Sequence, residues 1–482
     1  MQLSLIVPEI IVALVAMIVL MGELFVSEDS KRILGIIAAL GPFLAIIQVL
    51  NIYNLQRGIF HQLLVIDPIS NLIKIIILLS TSLIILLSID YPQIQVVGKG
   101  EYYSLMLFSV VGMMCMVSSN DFITFFLSLQ LTSIPLYILS GIDKNNARSN
   151  EAAFKYLMLG MLASVVMLYG MSMVYGFTAS TRFEQIAQGL PVENFSQHPA
   201  LVMAMFFIFA GFAFKIAAVP FHFWVPDTYE GAPTPVTTFL ATAPKVAGFA
   251  ALLRFVTTAF YPLISQWRLL FIILSVLSMF VGNIVALSQT NIKRMLGFSS
   301  VAHVGYILMT FAVADRYAFS STIFYIMIYG IINIGAFAVV AAVSSGDYHI
   351  DKIARRCRKS PLMSLSLGVF LISMIGIPPT PGFWGKFYVF ASAVHKGMTW
   401  LAIIGIINSA ISVYYYINVL RYVYVEGREG GSNLQEGDVG LLKAPFLMKW
   451  VVGICLIITL IITLYPQPFI EIARSAALIL KI

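Results

Sequence analysis

Long apolar stretches alternate with short polar ones along the whole chain. Fourteen apolar segments are long enough to cross a bilayer, since a membrane helix needs about 20 mainly apolar residues. They cover residues 3–26, 33–51, 69–89, 102–118, 122–140, 152–176, 201–225, 235–259, 268–288, 296–314, 320–344, 362–396, 399–425 and 446–465. The pattern predicts an all-α polytopic membrane protein with about 14 transmembrane helices.

Two of these segments contain residues that interrupt a helix. Segment 362–396 is too long for one straight span and contains the run IPPTPG at 377–382, where prolines remove backbone donors. Segment 201–225 runs into AAVP at 217–220 and is expected to break in the same way. Interrupted helices in corresponding places are typical of a transport site built between internal repeats.

Composition excludes a soluble protein. Of 482 residues, 60% are hydrophobic and 11% are charged, whereas soluble domains are roughly 45–50% apolar and about 25% charged. The longest polar stretches, 177–199, 345–361 and 426–445, are too short for a soluble catalytic domain. The three cysteines match no zinc or iron–sulfur spacing, so no cofactor is expected in this chain. The net charge of +7 is scattered over loops, which excludes a nucleic-acid surface.

The distribution of lysine and arginine predicts the orientation. With the N-terminus outside, the inward loops carry 16 of the 29 basic residues and the outward loops and tail carry 7. The positive-inside rule therefore favours both termini outside. A multi-pass protein of a bacterial inner membrane is the expected location.

Six basic residues fall inside the predicted spans: Lys74, Lys155, Lys215, Lys245, Arg254 and Lys386. Lys74 and Arg254 lie close to span ends, where we expect their long side chains to reach water. For Lys155, snorkelling and a functional role are both open. The other three lie deeper, and a charge at such depth costs roughly 2.5–3.5 kcal/mol and calls for a reason.

The deeper lysines, together with His303 near the middle of the tenth span, indicate proton-relay chemistry. Burial disfavours the charged form of a lysine, so a buried lysine can exchange protons near neutral pH. A single intramembrane histidine is more often a satisfied core residue, but three neighbouring lysines favour a function. No paired carboxylates lie at mid-depth in the sequence.

Several long motifs resemble one known family. They are FKIAAVPFHFWVPDTYEGAPTPV at 214–236, ALSQTNIKRMLG at 286–297, SSVAHVGY at 299–306 and GIPPTPGFWGKFY at 376–388. The chain is similar to the antiporter-like proton-translocating subunits of respiratory complex I, the NADH-quinone oxidoreductase. The run RSNEAAFKYL at 148–157 and the 14-span length favour the N-subunit type.

This resemblance implies two inverted five-helix repeats, at 102–259 and 260–425, each with one broken helix. Residues 1–101 would form helices 1–3, and residues 426–482 the last helix and tail. Lys215 and Lys386 would be the broken-helix lysines of the two halves, Lys245 the connecting lysine and His303 a residue on the path between halves. Lys155 is a further candidate residue of the proton relay.

The resemblance also implies partners and cofactors. Other membrane subunits of the complex and the lipid bilayer would surround the chain, and neither nucleic acid nor a soluble small-molecule substrate is expected. Quinone, NADH, FMN and iron–sulfur clusters would belong to the assembled complex. Energy would reach this chain from electron transfer in its neighbours.

One position departs from the family pattern. Gln130 stands where the family places a glutamate that pairs with the lysine matching Lys215. Without that negative charge, Lys215 is expected to be neutral more often than in relatives. A modified pumping route and impaired pumping are both open.

Three other functions compete with the proton-translocating subunit. They are a subunit of a cation/proton antiporter or membrane-bound hydrogenase, a stand-alone secondary transporter, and a structural scaffold. The line of lysines, in place of a substrate pocket, speaks against the stand-alone transporter.

Overall fold

A computed structural model describes residues 3–27, 31–95, 98–193, 195–425 and 445–480. All 14 predicted segments are helical within these residues, which confirms the all-α membrane fold. Thirteen helices of the described part are long and apolar enough to cross a membrane. The twelfth predicted segment, 362–396, is divided into two helices that are each too short to do so.

The chain begins with a three-helix unit and a small hairpin. This part comprises α1 (Val7–Phe25), α2 (Arg32–Asn51), strands β1 (Arg57–Ile59) and β2 (Leu64–Ile66), α3 (Pro68–Ile89) and the short α4 (Pro92–Gln95). The antiparallel strands pair Gly58 with Val65, and the hairpin continues onto the core through a bridge between Leu64 and Ser119. We refer to the end of the bundle that carries this hairpin as the hairpin end.

The first set of five predicted spans follows. It consists of α5 (Lys99–Ser118), α6 (Phe122–Ser140), α7 (Ala147–Thr178), the short α8 (Phe183–Gly189), α9 (Pro199–Ile216), α10 (Trp224–Gly231), α11 (Thr234–Ala241) and α12 (Ala243–Thr258). Asp121 caps α6 by accepting from the backbone N–H groups of Ile123 and Thr124, which is the capping role expected of an acid at a span entrance.

The second set has the same order. It consists of α13 (Ile264–Leu287), α14 (Ile292–Val313), α15 (Arg316–Val343), the short α16 (Ile350–Arg358), α17 (Pro361–Ile375), α18 (Pro381–His395) and α19 (Thr399–Tyr424). The chain ends with α20 (Phe446–Leu464) and the short α21 (Gln467–Ala477). Residues 426–444, which begin the predicted C-terminal unit, lie outside the described residues.

Burial separates central helices from peripheral ones. The most apolar windows of α11–α12 and of α14 are 100% buried and that of α15 is 94% buried, whereas those of α1 and α7 are 33% buried. A helix that is apolar all round lies either in a core or against lipid. The central helices α12 and α14 carry Lys245 and His303, so the fold places these polar groups at its centre.

Candidate functional site: a buried line of lysines and a histidine

Both predicted helix breaks are present, each in the fourth span of its set of five. α9 ends at Ile216, where Ala217 takes the left-handed conformation with φ 65°. α17 ends at Ile375, where Gly376 has φ 87°. A left-handed residue after the last turn is a common helix stop.

A third interruption was not predicted. The eighth span, expected to be continuous over 235–259, is divided into α11 and α12 at Thr242, which has φ −121° and ψ −86°. Pro244 follows two residues later, and a proline cannot donate to the preceding turn. Lys245 therefore lies in the first turn of α12, beside this break.

Lys215 lies in the last turn of α9 and is 6% exposed. Its Nζ donates to Ser133 Oγ on α6 at 3.0 Å. Ser133 in turn donates to the carbonyl of Leu129 at 2.7 Å. Ser133, Tyr137, Ser164 and Lys215 line a small cavity between α6, α7 and α9.

Lys245 is 1% exposed and meets α14. Its Nζ donates to Ser300 Oγ at 2.6 Å, and Ser300 donates to the carbonyl of Gly297. The ring of Tyr229 lies 5.5 Å from the same nitrogen, within cation–π range.

His303 lies one turn further along α14 and is 5% exposed. Its two ring nitrogens lie 2.7 Å from Tyr325 OH and 3.3 Å from Tyr416 OH. Tyr416 OH also forms a hydrogen bond with Ser299 Oγ. Ser299 and Ser300 are adjacent on α14, so the hydroxyl that meets Lys245 and the hydroxyl that bonds to the Tyr416 partner of His303 come from neighbouring residues of one helix.

Lys386 lies in α18, just after the second break, and is 4% exposed. Its Nζ donates to the carbonyl of Ile375 at 2.8 Å and to Ser409 Oγ at 2.9 Å. The last carbonyls of a helix have no partner within it, so the break in α17 supplies an acceptor for this ammonium. Tyr306 of α14 presents its ring 4.8 Å away.

Comparison with known proteins places this arrangement in a family. Residues 119–412 match the family described as NADH:quinone oxidoreductase/Mrp antiporter, TM. The NADH-quinone oxidoreductase subunit N of Trichlorobacter lovleyi is 41% identical over 98% of this chain and 97% of its own length. The F(420)H(2) dehydrogenase subunit N of Methanosarcina mazei is 37% identical, covering 98% of both chains. A chain of respiratory complex I from Thermus thermophilus superimposes with a TM-score of 0.80 at 29% identity, covering 97% of this chain and 99% of that one.

The chain belongs to the antiporter-like membrane-subunit family of NADH:quinone oxidoreductases. It is therefore a membrane component of this class of translocating oxidoreductases. The fold class and the family expected from the motifs are confirmed. The boundaries of the two repeats, 102–259 and 260–425, remain a prediction. The two predicted helix breaks agree with that division, since each lies in the fourth span of its set of five.

Within the described residues, Lys215 bonds to Ser133 of α6 and not to Gln130. Gln130 is partly exposed on α6, one turn before Ser133. The group that meets the ammonium is the Ser133 hydroxyl, which is neutral. In this member of the antiporter-like family, Lys215 thus has a hydroxyl partner.

Lys155 is not part of the buried line. Its side chain is 42% exposed, and its Nζ contacts Glu151 at 2.6 Å and Asp227 at 2.7 Å. Arg294 Nη1 binds Asp227 at 2.9 Å and Glu230 at 3.0 Å, which completes a cluster at the end of the bundle opposite the hairpin. Burial alone raises the pKa of Asp227, but the hydrogen bonds from Lys155 and Arg294 outweigh it and hold that pKa below its ordinary value.

The expectation that Lys74 and Arg254 reach water is wrong. Lys74 is completely buried and pairs with Glu9 at 2.7 Å. Arg254 Nη2 binds both carboxylate oxygens of Asp67, at 2.9 and 2.8 Å. Neither acid lies in the same helix as its partner, so the sequence alone gave no sign of these pairs.

The hydroxyl partners were also missed. Ser133, Ser300, Tyr325 and Tyr416 contact the lysines and the histidine, yet serine and tyrosine are common in membrane helices and carried no signal. The one indication was the run SSVAHVGY at 299–306, which places hydroxyls one turn from His303.

Proposed function

We propose that the chain moves protons across the membrane along Lys215, Lys245, His303 and Lys386, as a subunit of a quinone oxidoreductase complex. One observation supports this most: within the described residues, the hydrogen-bond partners of these four groups are hydroxyls and a carbonyl, without a carboxylate. A buried ammonium that lacks a counter-ion is costly in its charged form. Such a group can release its proton without leaving an unpaired anion behind.

The hydroxyl partners suit proton transfer because each can both donate and accept a hydrogen bond. Ser300 bonds to Lys245, and Tyr416 bonds to both His303 and Ser299, the residue next to Ser300. By contrast, the lysine and arginine side chains of the Asp227 cluster have carboxylate partners, which hold them charged. The ion pairs of the Asp227 cluster thus stay charged, whereas the groups of the buried line can gain and lose protons.

The complex around this chain would supply energy and redox chemistry. Full-length relatives are named as subunits of NADH-quinone and F(420)H(2) oxidoreductases, so we infer that other membrane subunits flank this one. NADH or a related donor, FMN, iron–sulfur clusters and quinone would act in those neighbours. The 16-to-7 distribution of basic residues supports both termini outside in a bacterial inner membrane.

The test compares proton movement with quinone reduction in the assembled complex reconstituted into vesicles. We expect Lys215→Ala, Lys245→Ala, Lys386→Ala and Ser300→Ala to lower the number of protons moved per quinol formed while the complex still assembles. Ser392→Ala is the matched control, since Ser392 is buried in α18 and bonds only within its own helix. Normal pumping in all three lysine variants would instead indicate a structural scaffold.

Cation/proton antiport is a second candidate, because the family description also includes Mrp antiporters. The same vesicles distinguish it. A strict requirement for sodium in the proton movement would favour antiport, whereas pumping that depends only on the electron donor and quinone would exclude it.

A further inference from the structure

A second set of ionisable groups lies outside the two five-helix sets. Glu9 of α1 and Lys74 of α3 approach to 2.7 Å between Oε1 and Nζ. The Lys74 side chain is 0% exposed and that of Glu9 is 9% exposed. Removing two charges from water is expensive even when they meet, and intramembrane ionisable groups commonly mark functional sites.

The pair is incompletely bonded. Among the residues that the structure describes, Glu9 Oε2 has no hydrogen-bond partner, and Lys74 Nζ has none beyond its contact with Oε1. Asn71, one turn before Lys74, leaves its Oδ1 without a partner. Cys115 of α5 lies within electrostatic range of both charges, and Ser118 Oγ, one turn beyond it, is also buried and unpartnered.

Another ion pair in the same region has the opposite character. Both oxygens of Asp67 receive hydrogen bonds from Arg254, and Oδ1 also accepts from the backbone of Ser70. This pair joins the start of α3 to α12, and both carboxylate oxygens have partners, as expected of a structural link. Oε2 of Glu9 is left without a partner, so the Glu9–Lys74 pair can accept a further hydrogen bond or a proton, which a structural link does not need.

The hairpin closes this region at its end. Leu5, Ile52, Ile59 and Ile66 form a small apolar cluster of their own, separate from the main core. In the turn of the hairpin, Phe60, His61 and Gln62 all have positive φ, between 51° and 71°. The cluster joins the start of α1, the end of α2 and the start of α3, so it lies next to the helix ends from which Glu9 and Lys74 project.

We propose that Glu9 and Lys74 form a second proton-binding site, separate from the relay line, which exchanges a proton with water at the hairpin end. The open Oε2 of Glu9 takes a proton from a hydronium ion and leaves water, so the pair changes from neutral to singly positive. The reverse step returns the proton. Among the described residues, Cys115 on α5 is a further titratable group that interacts electrostatically with both Glu9 and Lys74. Asp67, which caps the start of α3 seven residues before Lys74, is paired with Arg254 of α12.

The ion pair of Asp67 with Arg254 connects the start of α3, the helix that carries Lys74, with α12, the helix that carries Lys245. Arg254 and Lys245 lie nine residues apart on α12, about 13 Å along the helix. A charge gained at Glu9 therefore changes the field on the helix that carries the connecting lysine. The inference rests on proton translocation by this chain but adds a site that the line from Lys215 to Lys386 does not contain.

The test uses the whole complex. The infrared difference spectrum between acidic and alkaline pH should contain the carbonyl band of a buried carboxylic acid that Glu9→Gln removes. Asp90→Asn, which breaks the more exposed pair with Arg32 between α2 and α3, should keep that band. The double variant Glu9→Gln/Lys74→Met should assemble and show a loss of protons moved per quinol formed.

Three results would overturn the proposal. They are a spectrum with no band that depends on Glu9, a double variant that pumps like the wild type, and a charge-exchanged variant Glu9→Lys/Lys74→Glu that pumps normally. If Glu9→Gln and the double variant Glu9→Gln/Lys74→Met do not assemble, the charge-exchanged variant Glu9→Lys/Lys74→Glu distinguishes the two explanations. Its assembly with reduced pumping supports the second proton-binding site. Its failure to assemble shows that the pair serves folding alone. Lys245→Ala, measured alongside, tests the relay itself: loss of pumping in this variant with the Glu9 band still present separates failure of the relay from failure of the second site.

Discussion

The glycine at the second helix break makes a quantitative prediction. Gly376 has φ 87°, and a Cβ at this position would lie 3.0 Å from Lys386 Cδ. A residue other than glycine costs roughly 1–2 kcal/mol in the left-handed region. Moving Lys386 off its rotamer adds about 0.5–1.5 kcal/mol. Gly376→Ala should therefore destabilise the protein by roughly 1.5–3.5 kcal/mol.

Gly397 provides a matched control. It has φ 79°, but a Cβ there would meet nothing within 4 Å. Gly397→Ala should cost only the backbone part, about 1–2 kcal/mol, and leave Lys386 in place. The difference between the two variants isolates the contact with Lys386.

The assay has two readouts on the purified complex. Thermal unfolding midpoints should rank wild type above Gly397→Ala and Gly397→Ala above Gly376→Ala. Protons moved per quinol should fall only in Gly376→Ala, because the shifted Lys386 loses its contacts at 2.8 and 2.9 Å with Ile375 and Ser409. Equal midpoints and equal pumping in the two variants would refute the reasoning.

Two further predictions concern the first half and the Asp227 cluster. Gln130→Glu introduces a carboxylate one turn from Ser133, which favours the charged form of Lys215. Pumping should then persist to higher pH. An unchanged pH profile would contradict the idea that the neutral side chain of Gln130 affects the protonation of Lys215. The lowered pKa of Asp227 contributes stability that is present above the ordinary carboxyl value, about 3.9, and is lost as the pH falls through the lowered value. Lys155→Met removes one donor and should make acid unfolding begin at higher pH, whereas Lys396→Met, at an exposed lysine, should leave the acid unfolding curve where it is.

Hydropathy was sufficient to predict the spans, because transfer of about 20 apolar residues into lipid dominates every other contribution at this level. The proline-rich run at 377–382 located the second break for a similarly local reason. The break at Thr242 was missed because the segment as a whole is apolar enough to read as one span, and a single proline at 244 gave a weak signal.

Depth along a helix was a good guide to the relay lysines and a poor guide to the others. Lys215, Lys245 and Lys386 were expected to be buried, and they are. Lys74 was expected to reach water because it lies near a span end, but its side chain is completely buried and Glu9 of α1 pairs with it. Which side chain meets which depends on helix packing, and a single sequence does not contain that information.

The length of α7 has a consequence for the membrane around the protein. Its 32 residues extend about 48 Å, while a hydrocarbon layer is about 30 Å thick. The helix must therefore tilt or project, and where lipid covers the surface that the rest of the chain leaves open, α7 responds to hydrophobic mismatch. Lys155 lies about 12 Å from the start of this helix, so a change in bilayer thickness acts on the end of α7 that contacts Asp227. A change in lipid composition that alters bilayer thickness is therefore expected to shift α7 relative to the ion-pair cluster that joins it to α10 and α14.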